Sequence, residues 1–255
     1  MKNILRQLAV IVTTIYALVL NGAANAIPLG GHTTGAISDS FQVLFVPAGY
    51  VFAIWGVIYL GLLAYTIYHS LPAQRNNIHL RRTGWLVALS SLGNGTWILF
   101  WQYLYFPLSL LTMFFLLAVL VVIYLRLDIG HTQFSNLEKW VVSIPFSIYL
   151  GWITVATIAN VTVVLSPYTA FTVGGISATA WTVILLVAGV VIAGLMAFTR
   201  SDIAYLLVLV WAFAGISVKW VDMSVLSYAG YVAAAVVLVL LVASRLRPSR
   251  QTAAG

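Results

Sequence analysis

The sequence predicts an all-α fold, a polytopic membrane helical bundle of about eight transmembrane helices with both termini in the cytoplasm. Three observations predict it: the composition, the length of the apolar runs and the placement of basic residues. Of the 255 residues, 62% are hydrophobic and only 7% are charged, whereas soluble domains carry roughly 25% charged residues. This composition excludes a soluble globular enzyme, a disordered chain and a nucleic-acid-binding module, despite the net charge of +7.

Eight apolar runs have the length that a membrane crossing requires, which is roughly 20 helical residues. They cover residues 4–26, 49–68, 84–106, 107–125, 140–165, 178–198, 203–221 and 226–243. Proline follows four of the runs, at positions 28, 72, 167 and 248, and Pro107 stands where a new helix can begin. The chain has no cysteine, which excludes disulfides, thiolate chemistry and a Cys-ligated metal.

The basic residues alternate from one connection to the next. With the amino terminus inside, eleven of the twelve Lys and Arg residues lie on the cytoplasmic side, and Lys219 is the exception. Since cytoplasmic loops carry an excess of basic residues, this alternation orients the bundle. We expect an integral, multi-pass protein of a bacterial inner membrane.

The first run also fits a second interpretation. Lys2 and Arg6 precede an apolar stretch, and Ala24-Asn25-Ala26 resembles a signal-peptidase site. Tyr16 and Asn21 inside the run instead suit packing within a bundle. The connection that follows, residues 27–48, is either a simple connector or a lid over the mouth of a pocket.

Three runs carry an aromatic stripe together with small polar groups on one helical face. The stripes are Phe52, Trp55, Tyr59, Leu62 and Thr66; Ser90, Asn94, Trp97, Trp101 and Tyr105; and Pro145, Tyr149, Trp152, Ala156 and Asn160. One such stripe is typical of interhelical packing, but three similar ones favour a shared aromatic cavity for a large apolar ligand. The remaining tryptophans at run ends suit the interfacial belt, and Trp211 suits packing.

Glycine and proline modify the same runs. We expect Gly56, Gly61, Gly95 and other glycines within the runs to let neighbouring helices approach closely. We expect Pro145 to kink its helix.

No carboxylate lies deep inside a run, which weakens an ion-coupled pump. Lys219 and Asp222 have the spacing of a helical ion pair. His32, in the first long connection, could ligate haem iron or simply be solvated. No catalytic motif or metal-ligand spacing is present, so we expect neither an enzyme nor a metal site.

The stripes carry a resemblance. Residues 45–59, FVPAGYVFAIWGVIY, resemble the second-helix signature F-x-P-P-x-W-x-F-x-P-x-W-x-x-L-Y of the tryptophan-rich sensory protein / translocator protein (TspO/MBR) family. Residues 94–101, NGTWILFW, are similar to its third-helix N-x-x-W, and residues 145–160, PFSIYLGWITVATIAN, to its fifth-helix P-Y-L-x-W-x-x-x-A-x-x-x-N. The blocks occur in the family's order within residues 5–165.

The chain departs from the family pattern at Ala48, Tyr50 and Ile54, which replace Pro, Trp and Pro. The resemblance implies two parts, a five-helix TspO/MBR-like membrane domain over residues 1–165 and three additional helices with a basic tail over residues 166–255. It identifies the chain as a divergent member.

The resemblance also implies a function: an integral membrane sensor or regulator that binds a porphyrin, haem or sterol-like molecule, with no cofactor required. The alternative is a small-molecule or lipid transporter. Expected partners are membrane lipid, the hydrophobic ligand and a second copy in a homodimer, without nucleic acid. The implied ligand-binding residues are Tyr50, Phe52, Trp55, Tyr59, Asn94, Trp97, Tyr149, Trp152, Ala156 and Asn160, with Tyr50 and Phe52 near the mouth.

Overall fold

The computed structural model describes residues 2–27, 29–41, 43–169, 172–173 and 175–246. Eight long helices account for most of these residues: α1 (Lys2–Ala26), α3 (Ile54–Ser70), α4 (Ile78–Gln102), α5 (Phe106–Leu127), α7 (Ile144–Thr169), α8 (Ala178–Arg200), α9 (Ile203–Lys219) and α10 (Ser224–Leu246). Short elements connect them: α2 (Thr34–Asp39), α6 (Asn136–Glu138) and a two-stranded hairpin, β1 (Thr172–Val173) and β2 (Ile176–Ser177). The predicted breaks at Pro28 and Pro248 and the tail residues Arg247 and Arg250 lie outside the described residues.

Each predicted run falls on one long helix, and the all-α, polytopic architecture is confirmed. By length and composition, six of the described helical segments could cross a membrane: Asn3–Ala26, Gly49–Ser70, Phe106–Leu127, Asn136–Leu165, Ala178–Arg200 and Ser224–Leu246. Helix α9 is apolar but shorter, with 17 residues. Helix α4 is long, but it carries arginines and a buried polar face, and these residues lower its mean hydropathy.

Some predicted boundaries were wrong. A 3₁₀ turn, Gly49–Ala53, precedes α3, and α4 ends at Gln102. Tyr105 therefore lies beyond α4 and is exposed, so it does not extend the aromatic stripe. Ahead of Pro145 the chain forms a π-helical turn, Lys139–Ser143. The kink predicted at Pro145 stays a prediction.

Glycine sets the closest helix approaches. A Cβ built on Gly95 of α4 would lie 2.7 Å from Cδ1 of Tyr16 on α1, and one on Gly61 of α3 would lie 2.9 Å from Cβ of Pro145. Packing between small residues is a principal source of attraction between helices in lipid, where the surrounding chains are as apolar as the helices. Gly56 does not behave as predicted, because a Cβ built there meets no atom within 4 Å.

Helices α1 and α3 are joined where α1 begins and α3 ends. Arg6 Nε donates to His69 Nε2 at 3.3 Å, and Gln7 Nε2 donates to the His69 carbonyl at 2.8 Å. Further along, Thr66 Oγ1 donates to Thr14 Oγ1 at 3.1 Å. These hydrogen bonds come from residues 6–14 of α1, and in the described part of the chain no side-chain hydrogen bond joins α1 to α3 beyond Thr14.

A polar cluster joins the α5–α6 connection to the α8–α9 turn. Arg200 Nη1 donates to a carboxylate oxygen of Asp128, and it holds the pKa of that carboxyl below its ordinary value. The Tyr124 hydroxyl donates to Asp202 Oδ2 at 2.9 Å, while Asp202 Oδ1 caps α9 at the Tyr205 amide. As predicted, these carboxylates lie at helix ends and not within a span.

Helices α9 and α10 offer a test of close packing. A Cβ built on Gly230 would lie 2.9 Å from the Phe213 carbonyl oxygen, a backbone atom that cannot move aside cheaply. We expect Gly230→Leu to lower the free energy of unfolding by about 1–3 kcal/mol through overpacking. Thermal unfolding in detergent measures this loss.

Gly194→Leu is the matched control, because its built Cβ meets only Leu240 at 3.8 Å. Equal thermal stability of the two variants would contradict the close α9–α10 packing.

Candidate ligand-binding site

The three predicted stripes meet at Trp55. Its ring centroid lies 5.5 Å from that of Tyr59, 5.7 Å from that of Trp97 and 6.1 Å from that of Trp152. The first two pairs are stacked and the third is edge-to-face, and both arrangements are favourable for aromatic rings. Helices α3, α4 and α7 therefore contribute to one aromatic cluster, as their sequence patterns predicted.

Two cavities adjoin this cluster. A small one of about 50 Å³ lies toward α7, and a larger one of about 410 Å³ lies between α1, α3 and α4. Only the larger falls in the range of ligand pockets, roughly 300–1,000 Å³. Trp55, Trp97 and Phe52 line both cavities and form the partition between them.

The ten predicted site residues are divided by this partition. Phe52, Trp55 and Trp97 border both cavities, Tyr59 borders the larger, Trp152, Ala156 and Asn160 border the smaller, and Tyr50, Asn94 and Tyr149 border neither. Tyr50 is half exposed and packs edge-on against the Trp211 ring at 5.3 Å. The structure thus brings Trp55, Trp97 and Trp152 to one small cavity, which Trp101 also lines, while the space for a ligand lies on the α1 side of the cluster.

Asn94 lies behind the aromatic wall. Its Oδ1 accepts a 2.7 Å hydrogen bond from Asn21 Nδ2, and its side chain also interacts with the Tyr149 hydroxyl. Within the described ranges, neither Asn94 Nδ2 nor the Tyr149 oxygen has a hydrogen bond of good geometry. Asn160, on the other side, contacts Ser109 at 3.4 Å. The predicted asparagines therefore join helices, and Asn160 in addition lines the small cavity.

Two buried indoles have unused hydrogen-bond donors. Trp97 and Trp152 are 5% and 2% exposed, and among the described residues neither Nε1 has an acceptor. Leaving a buried donor unpaired costs about 1–3 kcal/mol. An acceptor atom that entered the cluster would relieve this cost, so the partition can both stack against a ligand and donate to it.

The described residues that line the two cavities include no Asp, Glu, Lys or Arg. They include no His, Met or Cys either, and Tyr59 is the one side chain among them that commonly ligates haem iron. His32 lies in the connection next to the cavities and is exposed. The lining therefore suits a ligand whose buried part is uncharged and whose ionised groups, if it has any, stay at the mouth of the cavity.

The connection after α1 forms a roof over both cavities. Thr34 of α2 lines both, and Ser38 lines the smaller. Gln102 fixes this roof, because its Nε2 lies within 3.1 Å of the carbonyl oxygens of Ala24, Leu29 and His32. Trp101 Nε1 adds a bond to the Thr34 carbonyl at 3.3 Å.

Helix α9 also holds the roof. Lys219 pairs with Asp39 of α2, so the predicted pair with Asp222 was wrong: helical spacing identified a neighbour, but a carboxylate from a distant segment lies closer. Trp220 Nε1 donates to the Leu44 carbonyl at 2.8 Å and Trp211 Nε1 to the Val51 carbonyl at 3.1 Å. Both indoles thus have a bonding role beyond the belt and packing roles predicted for them.

Sequence reasoning missed the contribution of α1 and of Gln102. Leu18, Asn21, Gly22 and Asn25 of α1 line the larger cavity. Two asparagines four residues apart near the end of an apolar run were the available signal, since polar residues in a span rarely face lipid. Gln102 gave no comparable signal, because its partners are backbone carbonyls far away in sequence.

Gln102 can be tested directly. We expect Gln102→Leu, of similar volume, to lower stability by about 1–3 kcal/mol, because the Ala24 carbonyl, which is buried, and the partly buried carbonyls of Leu29 and His32 lose their donor. Hydrogen exchange of residues 27–41 in detergent should accelerate. The neighbouring exposed residue provides a control: Tyr103→Leu should leave this exchange unchanged, and unchanged exchange in Gln102→Leu would show that the roof is held by other contacts.

Comparison with known proteins agrees with this architecture. The family model described as TSPO-like protein matches residues 7–243, which includes all or most of every long helix and crosses the predicted boundary at residue 165. No curated protein and no solved structure matches the chain. A polytopic helical bundle with an aromatic cluster between its helices, matched over nearly its whole length by one family model, places this integral membrane protein in the TSPO-like family.

Proposed function

We propose that this protein is a membrane sensor or regulator that binds a ring-containing hydrophobic molecule, of the porphyrin, haem or sterol-like class. The single observation that carries the proposal is the cavity of about 410 Å³ walled by Trp55 and Trp97. Concave, mostly apolar sites with a few polar groups are typical of small-molecule binding. Flat indole faces suit a flat ligand, and family membership supports the same ligand class.

The lining ranks the ligand classes. A neutral sterol-like molecule needs no countercharge, whereas the carboxylates of a porphyrin would have to remain at the hydrated mouth, because burying an unpaired charge is costly. Haem would be held by its ring, with Tyr59 as the one lining candidate for its iron. The site therefore favours a neutral ring system over an anionic one.

Binding can be measured with a fluorescent sterol and with protoporphyrin IX on protein in detergent. We expect Trp97→Ala or Trp55→Ala to weaken binding by about 2 kcal/mol, which is about thirtyfold, through loss of the stacking wall. Trp97→Phe keeps a ring and should lose less, which separates stacking from misfolding. Trp152→Ala, which touches only the smaller cavity, should lose less than Trp97→Ala.

Trp85→Ala is the matched control, because Trp85 is half exposed and lines neither cavity. Full affinity in Trp55→Ala and Trp97→Ala would contradict this site. Accumulation of either probe inside proteoliposomes under a gradient would instead support the transporter alternative.

A further inference from the structure

We infer that the ligand enters sideways from the outer leaflet, between α1 and α3, and that it is a membrane-dissolved amphiphile whose neutral polar end faces Asn25. This inference rests on the proposed function and extends it to the route and the class of ligand.

The opening of the larger cavity lies between two helices. Its exposed lining residues are Gly22 and Asn25 of α1, Ala53 of the 3₁₀ turn and Gly56 of α3. Its lining from α4, Trp97 and Ile98, is buried. The cavity therefore has its back wall on α4 and its open side between α1 and α3.

Glycine keeps this opening clear. A Cβ built on Gly22 or on Gly56 meets no atom within 4 Å, in contrast to those built on Gly61, Gly84 and Gly95. Close packing of helices cannot explain glycine at these two positions. Absence of a side chain on both sides of the same gap leaves room for a molecule to pass.

In the described part of the chain, the side-chain hydrogen bonds between these two helices lie away from this opening. Their side-chain hydrogen bonds, from Arg6, Gln7 and Thr14 of α1, all lie in the cytoplasmic half. In the outer half, Asn21 of α1 bonds to Asn94 of α4. Beside the cavity, α1 is thus bonded to α4, and the space between α1 and α3 forms a lateral gap.

The gap lies near the outer surface. Gly22 is four residues before the end of α1, a rise of about 6 Å, and Gly56 is the third residue of α3. Asn25 and the α2 residue Thr34 stand above them, at the outer end of the cavity. A molecule with an apolar body and a neutral hydrogen-bonding end matches this gradient from an apolar gap to amide and hydroxyl groups.

The route through the roof is closed by comparison. Asp39 is paired with Lys219, the Leu44 and Val51 carbonyls accept from indoles of α9, and Ala48 N donates to the Gly215 carbonyl at 3.0 Å. Entry from water would break several of these bonds together, whereas entry between α1 and α3 breaks none of them.

The experiment follows transfer of dehydroergosterol, a neutral fluorescent sterol, from vesicles to the protein in proteoliposomes, read by energy transfer from tryptophan. We expect Gly22→Leu and Gly56→Leu to slow association about tenfold by filling the gap, with unchanged thermal stability. A Gly56→Ala, Leu, Phe series should slow it progressively. Gly194→Leu, on a distant helix, should match the unmodified chain.

A second arm tests the roof in the same assay. Asp39→Cys with Lys219→Cys, joined by a short bismaleimide, locks α2 to α9, and the chain has no other cysteine to react. We expect the locked protein to bind at the unlocked rate. Loss of sterol association when α2 is locked to α9 would overturn the lateral route. A normal association rate in both Gly22→Leu and Gly56→Leu would overturn it as well, and either result would leave the proposed binding site intact.

The unmodified chain could show no energy transfer from tryptophan to dehydroergosterol and no binding of protoporphyrin IX in detergent. That result would overturn the proposed function and this inference with it.

Discussion

The hydrogen bond between Asn21 and Asn94 sets the arrangement of the half of the bundle in which α1 ends. In lipid, a polar side chain on a helix needs a hydrogen-bond partner within the protein, and a partner on another helix joins the two helices. This bond, 2.7 Å long, lies near the contact of Tyr16 with Gly95. Together they hold α1 against α4. Helix α3 therefore does not fill the space beside this α1–α4 contact, and that space is the larger cavity.

The same constraint explains how the last three helices bear on the site. The connection after α1 carries backbone carbonyls and amides that must be satisfied close to an apolar bundle. Gln102 satisfies those near α1, while Trp211, Trp220 and Gly215 of the α9 region satisfy those nearer α3. The roof of the aromatic cluster is therefore built by both predicted parts of the chain, and α9 gives the additional helices a direct role at the site.

Much of this could be predicted from sequence, because helical periodicity is a local property. The eight runs follow from continuous apolar stretches, and the inward faces that carry Trp55, Trp97 and Trp152 follow from residues three or four apart on one helix. What failed depends on contacts between distant segments. Spacing alone pairs Lys219 with Asp222, but the fold supplies Asp39; spacing alone makes Gly56 a packing glycine, but the fold leaves it beside an open gap.

The uncharged lining limits the ligands that the site can hold. A dianionic ligand, or a coupling ion, would need charged partners in the cavity lining. The polar groups of the described lining residues are instead amides, hydroxyls and indoles. The free-energy cost of burying an uncompensated charge is far larger than the stabilisation that hydrogen bonds from these groups provide. A neutral ring system pays no such cost, and it partitions into the bilayer before it meets the protein. Low charge in the site and a lateral gap between α1 and α3 are thus consistent with one another, because a ligand that the cavity can accept is already dissolved in the membrane.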